Sequence, residues 1–216
     1  MYNRIIGWVG PTGSGKSYAA AQHFSRAPRA AVYQVKELRE EISFASQATN
    51  LHTEITGPQG LAISMCEQEF RLVYCAAQPT ETERNRLVFD DFDTFIECCY
   101  TRGDLLMQID EAHLVCDPRY IPVRFRRSVV MGRSRYVDID WISQRFSQVH
   151  HDITANTHFF CFWSITEPGD LDSIASRCGD EVAAKVQALR PSHDGRREGG
   201  VFEPGDKLWW PKEPEL

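Results

Sequence analysis

Gly10-Pro11-Thr12-Gly13-Ser14-Gly15-Lys16-Ser17 spells a complete GxxxxGK[ST] phosphate-binding loop, and its flanks fit the motif. Before it, Arg4-Ile5-Ile6-Gly7-Trp8-Val9 is a short apolar run suited to a buried strand. After it, Tyr18-Ala19-Ala20-Ala21-Gln22-His23-Phe24 is rich in helix formers. Strand, glycine loop and helix together make the arrangement that phosphate binding needs. Glycines let backbone N–H groups turn inward around phosphate oxygens, and the helix N-terminus adds partial positive charge. Lys16 is expected to reach the β- and γ-phosphates of ATP, and the Ser17 hydroxyl to hold Mg²⁺. Residues 10–17, with Tyr18 on the first helical turn, form the expected ATP-binding segment.

A second chemical signal follows the apolar run Leu105-Leu106-Met107-Gln108-Ile109. Asp110-Glu111 ends it in the Walker B pattern. In parallel α/β sheets ligands lie beyond the C-terminal ends of the strands. Asp110 should therefore converge with Ser17 on Mg²⁺. Glu111 stands where a carboxylate can polarise a water facing the γ-phosphate, which favours hydrolysis over simple binding. Gln144 ends another apolar run, Trp141-Ile142-Ser143. If that strand lies between the first strand and the Asp110 strand, the Gln144 amide reaches the γ-phosphate or the attacking water, as a sensor would.

Around these signals, residues 30–35, 70–75, 105–109, 137–143 and 158–163 read as strands. Residues 121–131, 146–156, 168–176 and 180–189 read as helices. Residues 90–100 form an amphipathic helix with Phe92, Phe95, Ile96 and Cys99 on one face and Asp90 or Asp91 as N-cap. Residues 36–60 resist ordering apart from a turn at Gly57-Pro58-Gln59-Gly60, and 78–86 read as a polar connection. Strands alternating with helices argue for an α/β fold, a mostly parallel sheet flanked by helices. The 216 residues suit one core over 1–190. Residues 191–216 form an extension, with Val201-Phe202 and Leu208-Trp209-Trp210 as the arms of a small hairpin.

Composition narrows the function classes. The formal net charge is −6, so any nucleic-acid contact must come from a local patch. No apolar run approaches the ~20 residues of a membrane-spanning helix. The seven cysteines show no C-x₂-C pair and read as reduced, buried small hydrophobes. Arg119, Arg124, Arg126, Arg127, Arg133, Arg135 and Arg145 stand out as a dense basic run. It reads as a trans-acting arginine finger, as nucleic-acid backbone contact, or as a solvated charged face. Arg133 and Arg135, just before the sensor strand, are the finger candidates. Arg124, Arg126 and Arg127 are the DNA candidates.

Taken in order, the phosphate loop, Asp110-Glu111, Gly132-Arg133, Ser143-Gln144-Arg145 and Glu167-Pro168-Gly169-Asp170-Leu171 resemble the FtsK/HerA superfamily of DNA-pumping ATPases. The resemblance implies a RecA-like P-loop NTPase core of the additional-strand, catalytic-glutamate type, with sheet order 5-1-4-3-2. It implies ATP-driven movement of double-stranded DNA through a homo-oligomeric, hexameric ring. Carried over by position, Lys16 and Ser17 bind phosphate and Mg²⁺, and Asp110 supports the metal. Glu111 is the catalytic base, Gln144 the sensor, and Arg133 the finger, with Arg135 as the alternative. The loop lies close to Met1, which points to a motor pared to its core. Such a motor is similar to the genome-packaging ATPases of tailless icosahedral viruses with an internal membrane. Its expected partners are double-stranded DNA, its own copies, and a capsid vertex or membrane protein of the virion. Its expected place is the host cytoplasm or the packaging vertex.

Other readings stay open. A Zot-like or conjugation-type motor would work with a membrane partner. A nucleotide-switched assembly factor would bind ATP without pumping. A small-molecule kinase lacks an acceptor or lid motif in the chain. Asp110-Glu111-Ala112-His113 also spells a DEAH box, but such helicases need two RecA-like domains. His113 then reads as an ordinary residue at a helix start.

Overall fold

Short apolar runs separated by helical stretches bury both their faces only as parallel strands between helices. That arrangement is found in a computed structural model, which describes residues 4–35, 53–55, 57–75, 84–191 and 205–211. The strands are β1 (Ile5–Val9), β2 (Arg29–Gln34), β3 (Thr53–Ile55), β4 (Phe70–Cys75), β5 (Leu105–Ile109), β6 (Val137–Ser143), β7 (Phe159–Trp163) and β8 (Lys207–Trp210). The helices are α1 (Lys16–Arg26), α2 (Pro58–Ser64), α3 (Arg84–Arg102), α4 (Val123–Met131), α5 (His151–Asn156), α6 (Pro168–Cys178) and α7 (Asp180–Gln187). One sheet runs β3-β4-β2-β5-β6-β1-β7-β8, parallel throughout except for the antiparallel β7–β8 pair. Its segment β7-β1-β6-β5-β2 is the expected 5-1-4-3-2 order, with β6 as the additional strand.

The two faces are covered unequally. Ile6, Trp8, Val32, Leu106, Ile142 and Trp163 meet Ala20, Ala21 and Phe24 of α1. Among the described residues α1 alone supplies helical core to that face. The opposite face packs residues such as Tyr33, Met107, Ile139 and Phe162 against the remaining helices. There Phe92, Phe95, Ile96 and Cys99 form the buried stripe of α3, as their spacing predicts.

Several expectations need correction. Gly57-Pro58-Gln59-Gly60 is not a turn but the start of α2. Gly57 takes φ +92° as N-cap, and Pro58 suits a first-turn position, where its missing N–H is not needed. Asp90 and Asp91 do not cap a helix, because α3 already begins at Arg84, within the supposed polar connection. Asp91 instead accepts a hydrogen bond from Tyr74 Oη at 2.8 Å. Residues 146–156 are not one helix: a short 3₁₀ turn at Phe146–Gln148 precedes α5. His150 Nδ1 caps α5 by accepting the Asp152 N–H at 3.1 Å. Leu208-Trp209-Trp210 lies in β8, which pairs antiparallel with β7 at the edge of the sheet; Val201-Phe202, the other arm of the expected hairpin, lies outside the described residues. Residues 36–52 and 78–83 lie outside them too. Cys99, Cys116 and Cys161 are buried as expected, but Cys66 is exposed.

Close approach explains one glycine. A Cβ on Gly7 would stand 2.4 Å from Trp141 Cζ2 and 3.0 Å from Phe160 Cδ1, inside the packed core. Gly7→Ala should destabilise the protein by about 1–3 kcal/mol, read as a lowered denaturant midpoint at unchanged slope. Beneath α1, Asp140 Oδ2 lies 2.7 Å from His23 Nδ1 and accepts from Gln108 Nε2 at 2.6 Å. Burial pushes His23 down, but the charge and hydrogen bond of Asp140 outweigh it and leave its pKa raised above 6.5. The folded state then holds the proton more tightly than the unfolded chain. Stability from this pair should be complete below pH 6.5 and lost as pH rises through the folded value. Denaturation across that range should show this slope in the wild type and a flatter one in His23→Gln.

Candidate nucleotide site

Strand register assembles the site. Val9 pairs with Ser143 and Phe162, while Ile109 pairs with Trp141 and Tyr33. The segments that follow β1, β5, β6 and β7 therefore leave the sheet along one edge, beyond the C-terminal strand ends. Residues 10–17, Asp110-Glu111 and Gln144 all stand there.

The phosphate loop is built by backbone constraint. Gly13 and Gly15 adopt φ +78° and +99°, conformations that side chains disfavour. A Cβ on Gly10 would lie 2.7 Å from Trp163 Cβ. The Gly10 N–H donates to Ser143 O at 3.3 Å, tying the loop to β6. Helix α1 has no side-chain cap and no acid in its first turn. Its leading N–H groups thus suit an anion, aided by the helix dipole. Lys16 is buried in the loop, with Nζ donating to Pro11 O at 3.3 Å. Ser17 is half-buried and Tyr18 is exposed.

Asp110 and Glu111 are both buried, 2% and 1% exposed. The Asp110 N–H donates to Tyr33 O at 3.0 Å, extending the β2–β5 ladder to the acid pair. Glu111 takes left-handed φ +49°, ψ +53°, a strain of about 1–2 kcal/mol for a residue with a Cβ. Strain of this kind collects where a side chain must be aimed.

A chain of hydrogen bonds crosses the edge. Thr12 Oγ1 donates to Gln144 Oε1 at 2.7 Å, and Gln144 Nε2 donates to Glu111 Oε1 at 2.7 Å. β6 does lie between β1 and β5, the condition for the Gln144 expectation. His113, read from sequence as ordinary, sits with Nδ1 3.2 Å from Ser143 Oγ and 3.6 Å from Glu111 Oε2. Its position two residues after Glu111 in the Asp-Glu-Ala-His string was the one available signal.

The Glu167-Pro168-Gly169-Asp170-Leu171 segment also acquires a physical role. Asp170 is buried and accepts from Arg145 Nε at 2.7 Å, from the Ser147 N–H at 2.8 Å and from Ser147 Oγ at 2.6 Å. These bonds hold the chain just past Gln144 in its turn, which interrupts the helix read over 146–156.

The other arginines lie elsewhere. Arg133 and Arg135 are exposed in the turn Gly132–Arg135, at the N-terminal end of β6. The whole strand separates them from Gln144. Arg127 and Arg135 lie over the Tyr100 ring, at 5.0 and 5.7 Å. Arg124 pairs with Glu97 at 2.9 Å and Arg126 with Asp152 at 2.7 Å. The three DNA candidates thus each have an intramolecular partner.

No protein-family model matches this sequence, and no curated protein matches it either. Solved structures do. The genome packaging NTPase B204 from Sulfolobus turreted icosahedral virus 2, in complex with ATP-gammaS, superposes with TM-score 0.68 at 17% identity, over 88% of this chain and 89% of that one. The fold is similar to that of viral genome-packaging NTPases. B204, the DNA-packaging ATPase from Sulfolobus Turreted Icosahedral Virus, gives TM-score 0.64 at 18% identity, over 88% and 90%. This chain has the additional-strand P-loop NTPase fold, as the resemblance in its motifs implies.

The Asp170 anchor carries a prediction. Asp170→Ala leaves the Ser147 and Arg145 donors without their acceptor. It should lower unfolding free energy by about 2–3 kcal/mol, measured by denaturant titration.

Proposed function

We propose that this chain is the ATP-hydrolysing subunit of a ring-forming motor that packages viral double-stranded DNA. The observation that carries the reading is the Thr12–Gln144–Glu111 hydrogen-bond chain. It links the phosphate loop, the additional strand and the acid pair, so a change at the γ-phosphate position is felt at Glu111. Similarity in fold to packaging NTPases supports the DNA-packaging part.

The residues divide the work. The loop and the α1 N-terminus bind the phosphates of ATP, with Lys16 neutralising them. The Ser17 hydroxyl and the Asp110 carboxylate are hard oxygen donors and fit Mg²⁺, which neutralises phosphate charge when bound. Glu111 orients the attacking water and accepts its proton, while Gln144 positions both. Arg133 and Arg135 stand at the far edge of the sheet from their own loop. That location suits a finger offered to the next subunit of a homo-oligomeric ring, a hexamer on the family resemblance. Arg124, Arg126 and Arg127 would meet DNA only by exchanging their present partners for phosphates. No described helix is long and apolar enough to cross a membrane. A capsid vertex or a membrane protein of the virion would then provide the docking point, in the host cytoplasm or on the particle.

Glu111→Gln should keep ATP binding and lower turnover at least about 100-fold, measured as phosphate release. Unchanged turnover would remove Glu111 from the chemistry. Duplex DNA should stimulate wild-type turnover at low salt and lose that effect as salt rises. Mixing inactive Arg133→Ala with inactive Glu111→Gln should restore part of the activity if the finger acts across subunits. No recovery is expected if Arg133 works only within its own chain.

A further inference from the structure

A groove of about 320 Å³ opens beside the phosphate loop, between α1 and the β7–β8 margin of the sheet. That is the small end of the range for ligand sites. Its walls include Gly15, Tyr18, Gln22, Trp163, Lys207 and Trp209. Gly15 belongs to the phosphate loop, so the groove is continuous with the site where phosphates would lie. Tyr18 and Gln22 are four residues apart and share one helix face. Gln22 stands about 10 Å along the axis from Gly15, at about 1.5 Å rise per residue.

The opposite wall is aromatic and braced. Trp163 closes β7 and abuts Gly10. Trp209 of β8 meets Trp8 edge-on, with ring centroids 5.2 Å apart at 72°. Trp8 in turn packs against Trp163 at 6.4 Å. Lys207 pairs across from Trp163, which puts it at the phosphate-loop edge, and its Nζ lies over the Trp209 ring, 5.9 Å from the centroid, a loose cation–π contact that an exposed lysine can leave. A rigid aromatic wall, an amide able to donate and accept, and a cation at the mouth suit a flat heteroaromatic group tethered to phosphates.

We infer that this groove receives the base of the bound nucleotide, with Trp209 of the C-terminal strand β8 as its stacking wall. The inference rests on the reading of residues 10–17 as the triphosphate loop. It extends the nucleotide site to the C-terminal strand β8.

The test compares two probes, ATP and inorganic tripolyphosphate, by calorimetric titration. Trp209→Ala should weaken ATP binding about tenfold, the usual scale for losing one base–aromatic stack. Tripolyphosphate binding should not change. Trp209→Phe should keep most of the ATP affinity. Tyr18→Ala, at an exposed position that cannot unfold the core, should show the same ATP-only loss. ATP should also quench intrinsic tryptophan fluorescence while tripolyphosphate does not. Equal weakening of both probes, or of neither, in Trp209→Ala and Tyr18→Ala would overturn the base site. Failure of the loop reading would look different, because Lys16→Ala would then bind tripolyphosphate as well as wild type.

Discussion

The placement of β6 between β1 and β5 governs the catalytic edge. A parallel strand inserted there must bring its C-terminal end level with those of its neighbours, since register is set by the hydrogen-bond ladder. Gln144 therefore emerges between the phosphate loop and the acid pair, within reach of Thr12 and Glu111. The insertion depends on a close fit. Gly7 lacks a side chain where the Trp141 indole presses against β1, and any Cβ would collide with that ring. Packing in the middle of the sheet thus sets the geometry at its end.

The same strand divides the charged groups. Its C-terminal end presents Gln144, and the turn before its N-terminal end presents Arg133 and Arg135. Two cations near the phosphate loop are specifically held: Lys16 within the loop, and Arg145 clamped by Asp170. The basic run, conspicuous in an acidic sequence, is largely absorbed by local partners. Glu97, Asp152 and the Tyr100 ring take up Arg124, Arg126, Arg127 and Arg135. Exposed pairs of this kind contribute little to stability. They nonetheless change what a count of arginines implies.

The unequal covering of the two faces has a related consequence. Among the described residues, α1 alone supplies helical core on its side of the sheet, so the edge of that face is finished by side chains of the strands themselves. Trp8, Trp163 and Trp209 do this together. β8 is therefore part of the sheet's aromatic margin beside the phosphate loop.

Much was legible in the amino-acid order alone. The phosphate loop, the strand before it and the helix after it follow from local rules about glycine, apolar runs and helix formers. So do the acid pair at the end of β5 and the apolar face of α3. Element boundaries failed where a distant partner intervened. Asp170 holds the turn at Ser147 that interrupts the helix expected over 146–156. The roles that only the tertiary structure decided are all non-local. Thr12 and Gln144 are 132 residues apart and Gln144 and Glu111 are 33 apart, yet each pair meets at 2.7 Å. His113 beside Glu111, the arginines at the far edge and β8 on β7 are of the same kind. Spacing along a chain encodes which face of one element is apolar and where its turns fall. Which strands become neighbours, and in what register, is settled by how all the apolar faces are buried at once, and no single stretch of sequence contains that.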